Sequence, residues 1–452
     1  MTIMWLEVLT IFFFTLGNYL NYIDRSLTFT ILPIIGEEYN ITKTDEGTLA
    51  SSFLVGYVVF SIICCILAHK MKVMYIVAIG CVIWCVSCFL MYCGNLPMFY
   101  VARILSGVGE AAYQSLIPAF IETNFDPKRV PLYLGIFFSG IYVGSSIGIA
   151  IGGLLDKIWR YAFLIEMFVM FINVGFLFYY STKEKFEKKI LDWTTLKRIL
   201  KSIFTNKFWW SVTIAYAFFN FTVGAVNTWL PSLIVDKFPN GTFEELETEL
   251  GVVIMVSSLL SAIFSSILVK TLNTKFPNYF FTINSGMIAI LFIIALVPIF
   301  ISLNISMVWP LFLFCVFIFI LLLTATTLPI NYLLLKLISQ EAKNYSMAIS
   351  ICLIHLLGDI PSPIIVGKIW DATKNATVSI EYASIGLIIS VLIFLAIFIV
   401  SFTHEKQQLK ITNNTIIDND IDTNDTAIND NIHNYIAYNQ DDGEIEEIRE
   451  IV

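Results

Sequence analysis

Charged side chains occur inside segments that are otherwise apolar enough to lie in lipid. Arg103 and Glu110 fall in the run from 96 to 121, and two helical turns separate them, so both should lie on one helix face. A charged side chain at the centre of a bilayer costs about 3 kcal/mol on insertion scales, so it needs a partner or a water-filled space. The two residues therefore indicate a polar site within a membrane.

Two further sets of titratable groups lie in apolar runs. Asp24 and Arg25 are adjacent in the first run, so their side chains point about 100° apart on a helix and at least one must reach another element. His355 and Asp359 are one helical turn apart in a late run. Carboxylates and histidine can carry protons and arginine can bind anions, so the three sets are typical of a polar pathway through a membrane protein.

The composition supports a membrane environment. Hydrophobic residues make up 57% of the 452 residues and charged residues only 14%, whereas soluble domains carry about 25% charged residues. Apolar runs of about 18 residues or more recur along the chain, each long enough to cross a bilayer core of about 30 Å. The chain is therefore predicted to be an all-α membrane protein.

The apolar runs and their breakers predict about twelve transmembrane helices. They lie near 8–35, 46–68, 73–94, 96–121, 130–155, 160–181, 208–235, 249–271, 279–302, 307–337, 345–367 and 379–402. The longest internal connection divides them six and six. We therefore predict a six-helix half at 1–181, a linker at 182–207, a second six-helix half at 208–402 and a disordered acidic cytoplasmic tail at 403–452.

The linker is the most basic connection, with seven lysine or arginine residues between Lys183 and Lys201. By the positive-inside rule it is cytoplasmic, which also places both termini in the cytoplasm. Acidic residues such as Glu244 and Glu245 fall on the opposite side. A glycine at every fourth position from Gly140 to Gly152 indicates close helix packing rather than a phosphate loop.

Several classes of function are disfavoured by what the sequence contains. Cys81, Cys85 and Cys88 share a helix face but are expected to have no histidine or carboxylate nearby to complete a site, so we predict no metal site. A membrane-embedded lipid acyltransferase or hydrolase would need a nucleophile near the interface, but His355 and Asp359 lie within an apolar run. We expect no enzyme activity, no catalytic residues, no cofactor and no nucleic-acid partner.

Four motifs resemble the Spinster family of lipid transporters, within the major facilitator superfamily. They are Asn21-Tyr22-Ile23-Asp24-Arg25, Arg103-x-x-x-Gly107-Val-Gly-Glu110-Ala-x-Tyr113, Trp159-Arg160-Tyr161-Ala162-Phe163 and His355-Leu-Leu-Gly358-Asp359-Ile-Pro361-Ser362-Pro363. They fall in the first, fourth, sixth and eleventh predicted helices, in the family's order. The resemblance implies the major facilitator fold, in which two six-helix halves expose a central site alternately to each side of the membrane.

The resemblance further implies a proton-coupled carrier of a lipid with an anionic or zwitterionic head, such as a lysophospholipid or sphingosine phosphate. It implies residence in the late endosome or lysosome, or in the plasma membrane, and we expect a monomer whose partners are this substrate, protons and membrane lipids. The predicted proton-coupling residues are Asp24, Glu110 and His355, and the predicted substrate-binding residues are Arg25, Arg103, Tyr113 and Asp359. Tyr113, one turn from Glu110, is expected to hydrogen bond to it.

The charged residues and one loop also allow other interpretations. Arg103 and Glu110, or Asp24 and an arginine, could form ion pairs that only hold helices together, and His355 could be a neutral imidazole bound to Asp359. The loop between the second and third helices reads Cys65-Ile-Leu67-Ala68-His69-Lys70 where facilitators have Gly-x-Leu-Ala-Asp-Arg. Because of this departure, a receptor-like homologue that does not transport is an alternative, as is a carrier of a small organic anion or sugar.

Overall fold

The computed structural model describes residues 2–68, 70–126, 129–184, 193–339 and 342–422, and regular structure in these ranges is helical. The first half contains α1 (Thr2–Tyr39), α2 (Lys43–Leu67), α3 (Val73–Cys93), α4 (Leu96–Asn124), α5 (Val130–Phe138), α6 (Gly140–Leu154) and α7 (Arg160–Lys183). A short helix, α8 (Trp193–Phe204), follows. The second half contains α9 (Lys207–Lys237), α10 (Phe243–Lys275), α11 (Phe280–Asn304), α12 (Trp309–Ala325), α13 (Thr327–Lys336), α14 (Lys343–Ile354), α15 (Pro361–Thr373) and α16 (Ala376–Asp422).

These helices supply twelve membrane-spanning segments. Ten stretches of the described chain are long and apolar enough to cross a membrane, with α5–α6, α12–α13 and α14–α15 each forming one of them. The other two segments are α1 and α4, which are 38 and 29 residues long and carry the buried charged residues that lower their apolar character. About twelve helices were predicted, and the arrangement agrees with that number.

Each half has its own hydrophobic core. One large cluster of buried residues runs from Ile11 to Leu177 and another from Ile199 to Ile397. Because apolar contacts are dense within each half, each half can move as a unit if the contacts between the halves break.

The glycine ladder positions the first helix. A methyl group at Gly144 or Gly148 would overlap the backbone of α1 near Tyr19 or Ile23, so only glycine allows α6 to approach this closely. The predicted packing role of the ladder is therefore observed. The contact fixes the stretch of α1 that carries Asp24 and Arg25.

The start of α3 is held by the end of the first half. Glu184 accepts hydrogen bonds from the backbone N–H groups of Val73 and Met74, at 2.9 and 3.0 Å, and Lys72 donates to the carbonyl of Ser181. A carboxylate at a helix N-terminus satisfies free N–H groups and complements the helix dipole. These bonds hold the loop that departs from the facilitator motif, although His69 itself lies outside the described residues.

The last helix continues further than predicted. The tail was expected from Thr403, but α16 runs to Asp422, and Glu405 within it accepts hydrogen bonds from the N–H groups of Phe281 and Thr282 at the start of α11. An established helix extends at low cost because only nucleation is unfavourable, and this capping contact anchors the first added turn. The rest of the predicted tail, 423–452, and residues 185–192 of the linker lie outside the described residues.

Candidate substrate and proton site

Two ion pairs join α1 to α4. Arg103 Nη1 donates to Asp24 Oδ2 at 2.5 Å, and Arg25 Nε donates to Glu110 Oε2 at 2.9 Å. The Ser106 hydroxyl lies 2.8 Å from Asp24 Oδ2 and 3.1 Å from Glu110 Oε1. Because a hydroxyl has one proton, Ser106 can donate to only one of the two carboxylates at a time. A protonated carboxyl could instead donate to Ser106, so the hydroxyl links the two acids.

The site depends on glycines in α4. A methyl group at Gly107 would overlap the carbonyl of Phe53 in α2, and one at Gly109 would lie 2.6 Å from the carbonyl of Gly80 in α3. The two neighbouring helices can therefore pack directly against α4 and exclude water. Asp24, Arg103 and Glu110 are buried as a result, so each needs a partner of opposite charge, which is Arg25 in the case of Glu110.

Arg25 is the accessible member of the two pairs. Its side chain is 15% exposed, and its Nη2 atom has no hydrogen-bond partner among the residues that the structure describes. The guanidinium lies 4.4 Å from the ring centroid of Phe53 and about as close to Tyr22 and Tyr57, at 5.0 and 5.2 Å. The Nη2 atom itself is buried. A partly exposed arginine with an unpaired donor and aromatic neighbours can nevertheless bind an anionic group attached to an apolar chain.

The second half contributes a histidine–aspartate pair close to this arginine. His355 Nδ1 lies 2.6 Å from Asp359 Oδ2, and the two side chains are 17% and 14% exposed. The ring of Tyr57 contacts His355 edge-on at 5.5 Å on one side and Arg25 on the other. Tyr57 therefore connects the charged residues of the two halves.

A break in the eleventh span positions this pair. His355–Asp359 forms a turn of π-helix between α14 and α15, in which the N–H of Ile360 donates to the carbonyl of His355 at 2.9 Å. Pro361 and Pro363 lack an N–H group, so the regular bonding pattern cannot continue through them. The helix is therefore interrupted at the motif that contains Gly358, Pro361 and Pro363.

Tyr113 is not a partner of Glu110, contrary to the sequence prediction. Its hydroxyl lies 3.0 and 2.9 Å from the carbonyls of Phe13 and Phe14 in α1, and the ring is fully buried. Gly17 leaves the space that the phenol occupies. The hydroxyl beside Glu110 belongs to Ser106, which lies four residues before Glu110 and three after Arg103 on the same helix face. That spacing was visible in the sequence.

The two halves are joined at the end where α2 begins. The carboxylate of Asp371, from α15, accepts hydrogen bonds from the N–H groups of Lys43 and Thr44 at 3.0 and 2.8 Å and from the Thr44 hydroxyl at 2.5 Å. The ammonium of Lys43 lies over the rings of Trp229 and Trp370 in the second half. We call the contacts of Asp371 with Lys43 and Thr44 the latch. It must open if this end of the protein opens.

Replacing Asp371 with asparagine is expected to weaken the latch. Asparagine keeps one acceptor oxygen but loses the charge-assisted bonds, each of which contributes about 1.5–3 kcal/mol. We expect the ratio of open to closed states at this end to rise about tenfold or more. The distance between spin labels at the exposed Met98 and Val308, with the exposed Cys93 replaced by serine, measures that ratio.

Asp156→Asn is the matched control for this variant. Asp156 is an acidic residue whose hydrogen bond, to the N–H of Lys157, stays within its own loop. The control should leave the label distances unchanged. If Asp371→Asn also leaves them unchanged, the latch does not hold the halves together.

Comparisons with known proteins agree with this architecture. The family model described as the Major Facilitator Superfamily matches residues 14–363. The chain is 24% identical over 448 residues to the probable sphingolipid transporter spinster homolog 3 of Arabidopsis thaliana, covering 87% of this chain and 83% of that protein. It is also 24% identical over 227 residues to a sphingosine-1-phosphate transporter of Xenopus tropicalis, covering 48% of this chain and 44% of that protein.

Among solved structures, the chain is similar to a bacterial homologue of the human lysosomal transporter Spinster in an inward-facing, unoccupied conformation. The TM-score is 0.68 at 16% identity, and the alignment covers 88% of this chain and 97% of the other. This likeness confirms the predicted fold. The relatives are transporters rather than enzymes, which agrees with the prediction that this chain is not an enzyme.

Proposed function

This chain belongs to the Major Facilitator Superfamily, and we propose that it is a secondary transporter that moves a lysolipid together with a proton by alternating access. The substrate class is a single-chain lipid with an anionic or zwitterionic head, such as a lysophospholipid or a sphingosine phosphate. The observation that carries the proposal is the Arg25–Glu110 ion pair, in which the arginine is accessible and the glutamate is buried.

The head group would bind at Arg25. This side chain is 15% exposed and its Nη2 donor, although buried, has no partner among the described residues, whereas Arg103 is fully buried against Asp24. The rings of Phe53, Tyr22 and Tyr57 around Arg25 would cover the apolar part of the lipid next to its head. The sphingolipid and sphingosine-1-phosphate substrates named for two relatives support this class of ligand.

Proton coupling would follow from competition for Arg25. A substrate anion that binds Arg25 weakens its bond to Glu110, which leaves a buried carboxylate without a cation. Such a carboxylate is costly in a low-dielectric site, so it takes up a proton. Substrate and proton therefore favour each other's binding, and by linkage the effect is reciprocal. Because Ser106 contacts both carboxylates, the proton could also pass through its hydroxyl to Asp24.

The second half would contribute His355 and Asp359 to the site. It contacts Arg25 through Tyr57, so a change at Arg25 can reach it without a direct bond. We propose that this pair responds to the facing state of the protein. His355 would then exchange protons and Asp359 would contact the zwitterionic part of a head group.

The orientation in the membrane follows from the basic linker. We place Lys183 to Lys201 and both termini in the cytoplasm by the positive-inside rule. The latch then lies at the opposite face and closes it. We propose a late endosomal, lysosomal or plasma membrane location.

Binding measurements with the purified protein test this function. The ligands are a lysophospholipid, sphingosine phosphate, an uncharged lysolipid analogue, a sugar and a small carboxylic acid. We expect the first two to bind most tightly and the uncharged analogue to bind more weakly. Binding of only the sugar or the carboxylic acid would contradict the proposal.

Replacing Arg25 with lysine tests the head-group contact in the same assay. Lysine keeps the charge but loses the planar fork and its second donor. We expect the affinity for the phosphate-headed lipids to fall about tenfold, which corresponds to about 1.4 kcal/mol, with little change for the uncharged analogue. Arg129→Lys is the control, because Arg129 bonds Glu7 away from this site. An equal loss for every lipid would mean that Arg25 does not bind the head.

A further inference from the structure

The buried charges around α1 and α4 do not balance. Two arginines and three carboxylic acids lie together: Arg25, Arg103, Asp24, Glu110 and Glu166. If all five were ionised, the group would carry a net charge of −1. Two ion pairs account for four of the five residues, which leaves Glu166 as the unpaired acid.

Glu166 lies on α7 and faces this group. It is 4% exposed, and neither of its carboxyl oxygens has a hydrogen-bond partner among the described residues. A carboxyl oxygen of Glu166, one of Asp24 and the thiol sulfur of Cys88 all lie within 4.8 Å of one another, so carboxylates do lie near this cysteine, contrary to the sequence prediction. A buried, ionised carboxylate without a partner costs several kcal/mol. A neutral, protonated acid in the same place costs far less.

The charged and titratable groups around Glu166 come from three helices. They are Asp24 from α1, Cys85 and Cys88 from α3, and Arg103 and Glu110 from α4. Arg103 is the cation that could pair with Glu166, because its Nε and Nη2 atoms have no hydrogen-bond partner in the described part of the chain. Arg103 thus bonds Asp24 through Nη1, and the N–H groups on its other two nitrogen atoms are without a partner among the described residues.

We propose that Glu166 is a proton-binding site that is occupied in this facing state, and that losing its proton draws Arg103 from Asp24 towards Glu166. In the occupied state Glu166 is neutral and Arg103 pairs with Asp24 alone. In the empty state two carboxylates compete for one guanidinium, which weakens the link between α1 and α4. This proposal extends the proposed coupling. It rests on the proposed function only in assuming that the protein alternates between two states that face opposite sides of the membrane.

A proton fits this site better than a metal ion. The three candidate ligand atoms are two carboxyl oxygens and one thiol sulfur. Hard cations prefer six or more oxygen ligands, which this set does not provide. A divalent ion such as zinc would change the net charge from −1 to +1 next to Arg103, whereas one proton brings it to zero.

The number of protons that distinguishes the two facing states tests the proposal. We call the ratio of the open to the closed state at the latch end the facing ratio. Its logarithm, plotted against pH, has a slope whose size equals that number. The spin labels at Met98 and Val308 report the ratio without any substrate. Glu166→Gln is a neutral mimic of the protonated acid and should lower the slope by about one, whereas Glu166→Asp should retain it.

Glu247→Gln is the matched control. Glu247 is also buried with both carboxyl oxygens unpartnered among the described residues, but it lies on α10 beside Gly153 and belongs to neither of the two ion pairs. It should leave the slope as in the wild type. An unchanged slope in Glu166→Gln, or an equal fall in both variants, would overturn the proposal.

Two further results would also overturn it. A Glu166→Gln protein that does not fold would show that this residue is needed as an anion. A facing ratio that depends on sodium at constant pH in the wild type, but not in Glu166→Gln, would assign the site to a metal cation. The test is independent of transport, because the wild-type slope can be measured even if no lysolipid binds. Loss of lysolipid binding with this slope intact would reject only the proposed function.

Discussion

Replacing Glu110 with glutamine is expected to abolish accumulation driven by a proton gradient while leaving lipid exchange. Arg25 and Ser106 lie 2.9 and 3.1 Å from different oxygens of the Glu110 carboxylate. Glutamine keeps one acceptor oxygen for Arg25, and its amide NH2 group can donate to the Ser106 hydroxyl. It cannot take up a proton, and it holds Arg25 less tightly, so binding of the lipid should persist or improve. Proteoliposome uptake with and without a pH gradient measures the two effects.

Two outcomes would decide against this role of Glu110. If Glu110→Gln accumulates lipid normally and only unfolds at a lower temperature, the pair with Arg25 is structural. If exchange is lost together with accumulation, the residue is needed for binding rather than for coupling. Glu247→Gln serves as the control for removing a buried acid elsewhere in the protein, and it should accumulate lipid as the wild type does.

Replacing Asp24 with asparagine is expected to remove the pH dependence of transport without unfolding the protein. The change deprives the fully buried Arg103 of its anionic partner. Glu166 lies close to Asp24, so it can lose its proton and supply the missing negative charge. The single variant should therefore fold, with uptake that no longer varies with pH.

The double variant Asp24→Asn, Glu166→Gln should be far less stable than either single variant. It leaves Arg103 buried without a carboxylate partner of its own, which costs about 3–5 kcal/mol. Thermal unfolding of the wild type, the two single variants and the double variant measures how far the loss of stability in the double variant exceeds the sum of the two single losses. Additive effects would contradict the idea that Glu166 can replace Asp24. A well-folded Asp24→Asn protein with the wild-type pH profile would remove Asp24 from the mechanism.

The positions of the helices were largely predictable. The predicted spans at 73–94 and 96–121 correspond to α3 (Val73–Cys93) and α4 (Leu96–Asn124), because lipid imposes long apolar runs that polar residues interrupt. The resemblance to Spinster transporters was also carried by short motifs and is confirmed by the relatives. The end of α16 was not predictable from apolarity, since the turns beyond Thr403 are polar and the first of them is anchored by the contact of Glu405 with α11.

The composition of the site was partly predictable. The charged residues stood out because each is costly in lipid, but their pairing depends on how α1 packs against α4. Arg103 and Arg25 looked equivalent in the sequence, whereas in the structure one is buried and the other is accessible. Tyr57 had no signal of its own, because an aromatic residue in an apolar helix is unremarkable until its neighbours Arg25 and His355 are known.

The most direct test of the coupling is whether a lysolipid gradient moves protons across the membrane. Proteoliposomes that contain the protein and a pH indicator in the lumen receive a lysolipid gradient at equal pH on both sides. Because linkage is reciprocal, wild-type protein should shift the luminal pH as lipid enters, and Glu110→Gln should move lipid without that shift. Lipid entry through the wild-type protein with a constant luminal pH would contradict proton coupling.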